Sequence, residues 1–341
     1  MCGLMPGCVR TRRVRALIVL LMFSGCAHRV TLTVHQDGRV EGRGVDVKYP
    51  VHGEQVWAGY ATKKWLPEVR FDSAERTTLR LKLEVPDGWT SAGTFDVSEP
   101  TPPFLFAWAA GRFTRTELEA DGHVFVALNG SQEVLLKTAA MARFLRERTG
   151  LELPVRTYTQ VFVHGEAAQE AVGMALIGEA ALNDADAEWV FIHELAHQWF
   201  GVSLKCLDFD DFWLNEGFAT FFVGAWLEQL RGRDAYEAEV ARWKSRAEKV
   251  QGALSLAPPG LPRPHTPDSK LQPRGITYSK GALFLHSLRR ELGEATFWSV
   301  MRNYVTTNAG RDVTSGDFRL ALEKVTGRSW TEDFAKRVYS P

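Results

Sequence analysis

The sequence predicts an α+β chain, strand-rich in its first part and mainly helical in its second. Residues 30 to about 112 hold short alternating runs separated by Gly-containing turns. From about residue 113 apolar residues recur at helical spacing instead. A length of 341 residues fits about two domains. At 45% hydrophobic and 24% charged residues the chain can bury a sizeable core and is neither disordered nor fibrous. A formal net charge of zero excludes a strongly basic nucleic-acid binder.

The first 25 residues read as a secretory signal. Arg10, Arg12, Arg13 and Arg15 form a positive segment, and Ala16 to Phe23 is apolar but too short to span a bilayer. Phe23-Ser24-Gly25-Cys26 resembles a bacterial lipoprotein cleavage site, with Phe23 departing from the usual Leu. Cleavage there places a lipid on Cys26 and the protein in the bacterial cell envelope. The alternatives are an ordinary signal peptide cut nearby or an uncleaved anchor. Losing four arginines leaves 37 basic against 41 acidic residues, a formal charge of −4. Cys206 is then the one remaining thiol without a lipid, so no intramolecular disulfide forms and the core must hold the fold.

Residues 26–112 are expected to form the sheet domain. Val30 to Val34 and Thr77 to Val85 alternate, and Asp37-Gly38 and Asp87-Gly88 supply turns. Trp57, Trp65, Trp89 and Trp108 are expected in its core. In residues 113–341, Ser131 caps a helix running to Thr149, which Gly150 stops. Val155 to Val163 is a strand. Residues 186 to 200 and 211 to 230 are two helices joined by an Asp-rich loop. Six prolines between Gly252 and Gly275 mark a loop, and helices follow at Ser279 to Leu292, Glu294 to Tyr304 and Ser315 to Thr326. Cys206, His286, His164 and His265 read as ordinary core or loop residues.

The first of the paired helices carries His193-Glu194-Leu195-Ala196-His197. Histidines at i and i+4 share one helical face, so both imidazoles reach one metal ion, with Glu194 beside it. Glu216 follows after eighteen intervening residues, on the next helix. Two neutral His and one carboxylate make a tetrahedral zinc site with an open fourth position, the catalytic rather than the structural pattern. Such a site lets water ionise near pH 7, with Glu194 placed to take the proton and pass it to a leaving amine.

These residues also carry a resemblance. His193 to Gly201 (HELAHQWFG) and Trp213 to Thr220 (WLNEGFAT) resemble the membrane alanyl aminopeptidase family, gluzincins with a thermolysin-like catalytic domain that include leukotriene hydrolase. Tyr278-Ser279-Lys280-Gly281 is similar to the family's Tyr-x-Lys-Gly motif, which implies that Tyr278 donates a hydrogen bond to the oxyanion. The resemblance covers about residues 60 to 341. It implies a shortened N-terminal sheet domain, one zinc ion held by His193, His197 and Glu216, and a peptide or protein substrate.

Three positions depart from the family pattern. The nearest match to its Gly-x-Met-Glu-Asn segment is Val172 to Leu176, which lacks a carboxylate to hold the substrate's free amine. Trp57 and Ala58 stand where a second amine-binding residue is expected, and Val223 replaces a Glu that orients a ligand histidine. Glu166, Glu170 and Glu179 read as solvated acids, with the alternative that one of them takes the amine anchor's place from the adjoining segment. The expected function is a zinc metallopeptidase, aminopeptidase-like with a degenerate amine anchor, so that N-acetylating a substrate costs less than about 10-fold. The alternative from another class is a non-catalytic zinc-binding envelope lipoprotein.

Overall fold

The computed structural model describes residues 27–59, 62–66, 69, 75–184, 186–259 and 269–341. The signal segment, the lipidation residue Cys26 and His265 lie outside the described residues.

Among the described residues, eight strands make up the first part: β1 (Ala27–Val34), β2 (Arg39–Gly42), β3 (Val45–Lys48), β4 (Gln55–Ala58), β5 (Thr77–Glu84), β6 (Thr90–Gly93), β7 (Asp96–Thr101) and β8 (Trp108–Gly111). They form a five-stranded sheet in the order β3-β2-β1-β5-β7 and a three-stranded sheet in the order β4-β8-β6. Leu32, Val40, Leu79 and Leu81 alternate inward and meet Trp65, Phe106 and Trp108 between the sheets. Trp89 is buried there too, while Trp57 is partly buried and packs towards the second half of the chain.

The second half opens with more strands than the sequence predicts: β9 (Arg115–Ala120) and β10 (His123–Leu128) form a hairpin before α1 (Gln132–Thr149). After β11 (Thr157–Val163) come β12 (Ala168–Ala171) and β13 (Met174–Gly178), giving a sheet ordered β12-β13-β11-β10-β9. Buried on both faces, β13 and most of β11 lack the alternation that marks a half-buried strand. Helix α1 keeps its predicted bounds for the predicted reasons. The Ser131 hydroxyl accepts the Val134 N–H at 3.4 Å, and Gly150 adopts the left-handed conformation at φ 74° that closes the last turn.

Helices α2 (Glu188–Ala196) and α3 (Trp213–Arg231) pack together, followed by α4 (Arg233–Ala247), α5 (Gly281–Asn308), α6 (Ser315–Thr326) and α7 (Thr331–Arg337). The predicted pair at Ser279–Leu292 and Glu294–Tyr304 is α5, interrupted at Gly293 with φ 74°. Helix α4 is an addition to the predicted set, although Tyr236, Val240, Trp243 and Ala247 repeat at helical spacing and are buried. Its other positions are so highly charged that the apolar stripe is thin. No described helix is long and apolar enough to cross a membrane.

Candidate metal centre and cleft

Helix α2 presents His193, Glu194 and, at its C-terminal end, His197 on the side facing α3, and all three are buried. Glu216 projects from the first turn of α3. The Nε2 atoms of His193 and His197 stand 3.1 Å apart, and Glu216 Oε2 lies 3.3 Å from the first and 3.5 Å from the second. The Nδ1–H of His197 donates to the Phe200 carbonyl at 3.0 Å. In the neutral imidazole that bond leaves Nε2 as a bare lone pair facing the other two atoms. It also gives His197 a backbone partner of its own, independent of position 223, where Val223 is buried.

Three lone-pair atoms this close repel unless a cation lies between them. Tetrahedral zinc with bonds of about 2.0–2.1 Å holds its ligand atoms roughly 3.3 Å apart, so the residues fit that ion. The electrostatics call for the same charge. Burial lowers the pKa of His197, but Glu170, Glu216 and Glu194 outweigh it and push the imidazole up to about 10. At Glu216 burial opposes ionisation, yet His197 and His193 hold the carboxyl well below its usual range. A bound zinc ion would supply that positive charge with both imidazoles neutral.

Two motif glycines set the depth of the site. A Cβ on Gly217 would lie 2.9 Å from the Gly281 Cα, and one on Gly281 would lie 2.8 Å from the Gly217 Cα. Helices α3 and α5 therefore touch backbone to backbone, just past Glu216 and just past Tyr278. Residues Gly275–Lys280 form a π-helical turn leading into α5. This turn swings the Tyr278 ring onto His193, nearly parallel at 7° with centroids 5.6 Å apart. Burial pushes the Tyr278 hydroxyl well above its ordinary pKa, so it remains a hydrogen-bond donor.

The amine-anchor segment is where the structure departs from the sequence reading. No carboxylate comes from Val172 to Leu176, but edge strand β12 brings one. Glu170 pairs in register with Ala175 of β13 and is buried, not solvated. Ligand-capable atoms of Glu170, Glu194 and His197 all lie within 4.8 Å of one another, as do those of His193, His197 and Glu216. Burial pushes the Glu170 carboxyl up to about 7 and Glu194 well above the carboxylate range. The sequence signal is an acid within a four-residue strand of small and polar residues, shortly before the Gly173-Met174 pair. Glu166 is exposed, and Glu179 is half-buried against His164. Near Trp57 and Ala58, the Gln55 side chain is taken up by the His164 N–H at 3.0 Å. Tyr236 OH and His286 Nδ1 are 2.9 Å apart in the core, and Cys206 is buried with its thiol pKa raised, as expected of inert residues.

Paired histidines on one helix and a glutamate on the next, beneath a strand that supplies a further carboxylate, define the class of gluzincin-like metal sites. The profile of the peptidase family M1 domain matches residues 135–337, and the chain belongs to that family.

Relatives include aminopeptidase N of Streptomyces lividans, 27% identical over 313 residues, covering 78% of this chain and 36% of that protein. Human aminopeptidase O is 31% identical over 170 residues, 43% of this chain and 21% of that one. Aminopeptidase A of Gloydius brevicauda is 24% identical over 287 residues, 76% of this chain and 29% of its own. The chain thus spans between 21% and 36% of these relatives' lengths. Among solved structures, the M1 zinc metallopeptidase of Deinococcus radiodurans matches with a TM-score of 0.65 at 22% identity, over 83% of this chain and 70% of that one. A mutant of that enzyme with a bound Tyr-Ser-Ala substrate matches at 0.67 and 22% identity, over 86% and 71%. These likenesses support the α+β fold, a sheet domain followed by the mainly helical one.

Proposed function

We propose that this chain is a zinc aminopeptidase that releases the residue carrying a peptide's free N-terminal amine. The observation that carries this reading is the buried Glu170 carboxylate beside Glu194 and His197. His193, His197 and Glu216 would hold the zinc ion, which when bound supplies Lewis acidity for water and for the scissile carbonyl. Glu194 takes the proton of the attacking water and delivers it to the leaving nitrogen. Tyr278 donates to the oxygen on which negative charge develops. Glu170 pairs with the substrate ammonium and so fixes the scissile bond one residue in. A non-catalytic zinc-binding protein is not favoured, because ligands, base, tyrosine and amine carboxylate converge at one place.

The purified protein should contain about one zinc per chain, and His197→Ala should lose it together with hydrolysis. Elemental analysis alongside a peptidase assay checks this; active wild-type protein without zinc would reject the metal's role.

For location, we propose a lipid anchor on Cys26 facing the bacterial envelope, supported by the lipoprotein-like Ser24-Gly25-Cys26 sequence after a short apolar segment. Cys26→Ser should then move the protein from the membrane to the soluble fraction on ultracentrifugation. Retention of that variant in membranes would point instead to an uncleaved anchor.

A further inference from the structure

A cavity of about 350 Å³ opens beside the zinc-binding residues, between α2, α3, α4 and the π-helical turn. Glu194 and Tyr278 line it, whereas Glu170 does not. On the aminopeptidase reading above, on which this inference rests, the residue held by its amine lies on the Glu170 side. The cavity therefore receives the leaving-group side of the scissile bond, where Glu194 delivers its proton.

The cavity lining mixes acids and arginines, and two of its arginines have no acid within ion-pair distance among the described residues. Arg242 is paired with Glu239, and Asp186 lies 3.2 Å from Arg231. Asp184 accepts the Asp186 N–H at 2.9 Å. Arg246 and Arg274 also line the cavity, are exposed, and make no ion pair among the described residues. Their backbones run side by side: the Arg246 carbonyl is 3.1 Å from where a Cβ on Gly275 would be, next to Arg274. The Arg274 guanidinium lies 5.6 Å from the centre of the Tyr278 ring. Also in the cavity lining, the hydroxyl of Thr220 is buried without a protein partner among the described residues, in a residue only 7% exposed. Trp189, 49% exposed, lines the same cavity and offers an apolar face. Two guanidinium groups open to a ligand, a buried hydroxyl lacking a partner and an exposed indole match a short side chain or chain end bearing a carboxylate.

We propose that Arg246 and Arg274 are specificity-determining residues that read a carboxylate on the residue following the scissile bond. The carboxylate is either an Asp or Glu side chain or the C-terminal group of a dipeptide. Four substrates separate the sources: Ala-Asp amide against Ala-Asn amide, and Ala-Ala acid against Ala-Ala amide. A charge-assisted hydrogen bond is worth about 1.5–3 kcal/mol, or roughly 10- to 150-fold.

At least one pair should differ by about 10-fold or more in kcat/KM, with the charged member preferred. The pair that differs identifies the source. In the Arg246→Gln/Arg274→Gln protein that ratio should fall below about 2-fold. The same four peptides titrated calorimetrically into zinc-loaded Glu194→Gln protein read the preference without turnover. If wild type hydrolyses none of them while this binding preference persists, the peptidase reading fails and the carboxylate subsite stands. Ratios below about 2-fold in both pairs, a preference that survives the double substitution, or no measurable binding of any peptide overturns the inference.

Discussion

Glu194→Gln should lower kcat by at least about 10²-fold while zinc content stays near one per chain. The amide keeps the shape of the carboxylate and most of its hydrogen bonding but cannot accept a proton from water. Glu194 is buried, and its Oε2 has no hydrogen-bond partner among the described residues, so the oxygen is free for water rather than committed to the fold. Burial also raises its pKa well above the carboxylate range. A more basic carboxylate is better matched to moving a proton at neutral pH. The neighbouring ligands come from other positions of α2 and from α3, so the substitution leaves the donor set in place. Elemental analysis and steady-state kinetics on one preparation separate metal loss from loss of proton transfer. Turnover within about 10-fold of wild type would remove Glu194 from that role.

N-acetylation of a peptide substrate should cost more than about 100-fold in kcat/KM, the reverse of what the residues at Val172 to Leu176 imply. Acetylation removes the positive charge that Glu170 would meet and adds bulk at the same point. Breaking a buried pair by removing one partner costs about 3–5 kcal/mol, because the other charge is left without compensation. That corresponds to about 10²–10³-fold or more in rate. Glu170→Ala should reduce wild-type activity on free peptides and shrink the free-to-acetylated ratio below about 10-fold. Paired kinetics on one peptide sequence, free and acetylated, decide it. A ratio below about 10-fold in the wild type would mean that Glu170 does not hold the amine. The protein would then be open to cleavage within a chain.

The proposed metal ligands are legible in the sequence because the spacing of the two histidines maps onto one rigid helix. Positions 193 and 197 share a face whatever else the chain does, and a short connection brings Glu216 alongside. Helix α1 is legible for the same local reason, with Ser131 and Gly150 marking its ends. Glu170 is legible only as one of three candidate acids, because its placement depends on pairing between strands. A short strand with an acid reads the same at an exposed edge or over a metal site. Only the register Glu170↔Ala175, with β12 lying against α2, decides which applies. The β9–β10 hairpin and β13 escape similarly, being defined by their strand partners rather than by their own pattern.

From the sequence alone follow the α+β division, the His193, His197 and Glu216 set proposed to hold zinc, and Glu194 as the proposed proton-transferring group, all of which rest on periodicity and on side-chain chemistry at short range. Tertiary pairing is what brings Glu170 beside Glu194 and His197. Tertiary structure also decided that Gly217 and Gly281 bring α3 and α5 into backbone contact and seat Tyr278 on His193, and that Arg246 and Arg274 line one cavity. The physical reason is separation along the chain. Each of these groupings joins residues from different elements, and a one-residue slip in strand register or a single methyl group between the helices would undo it.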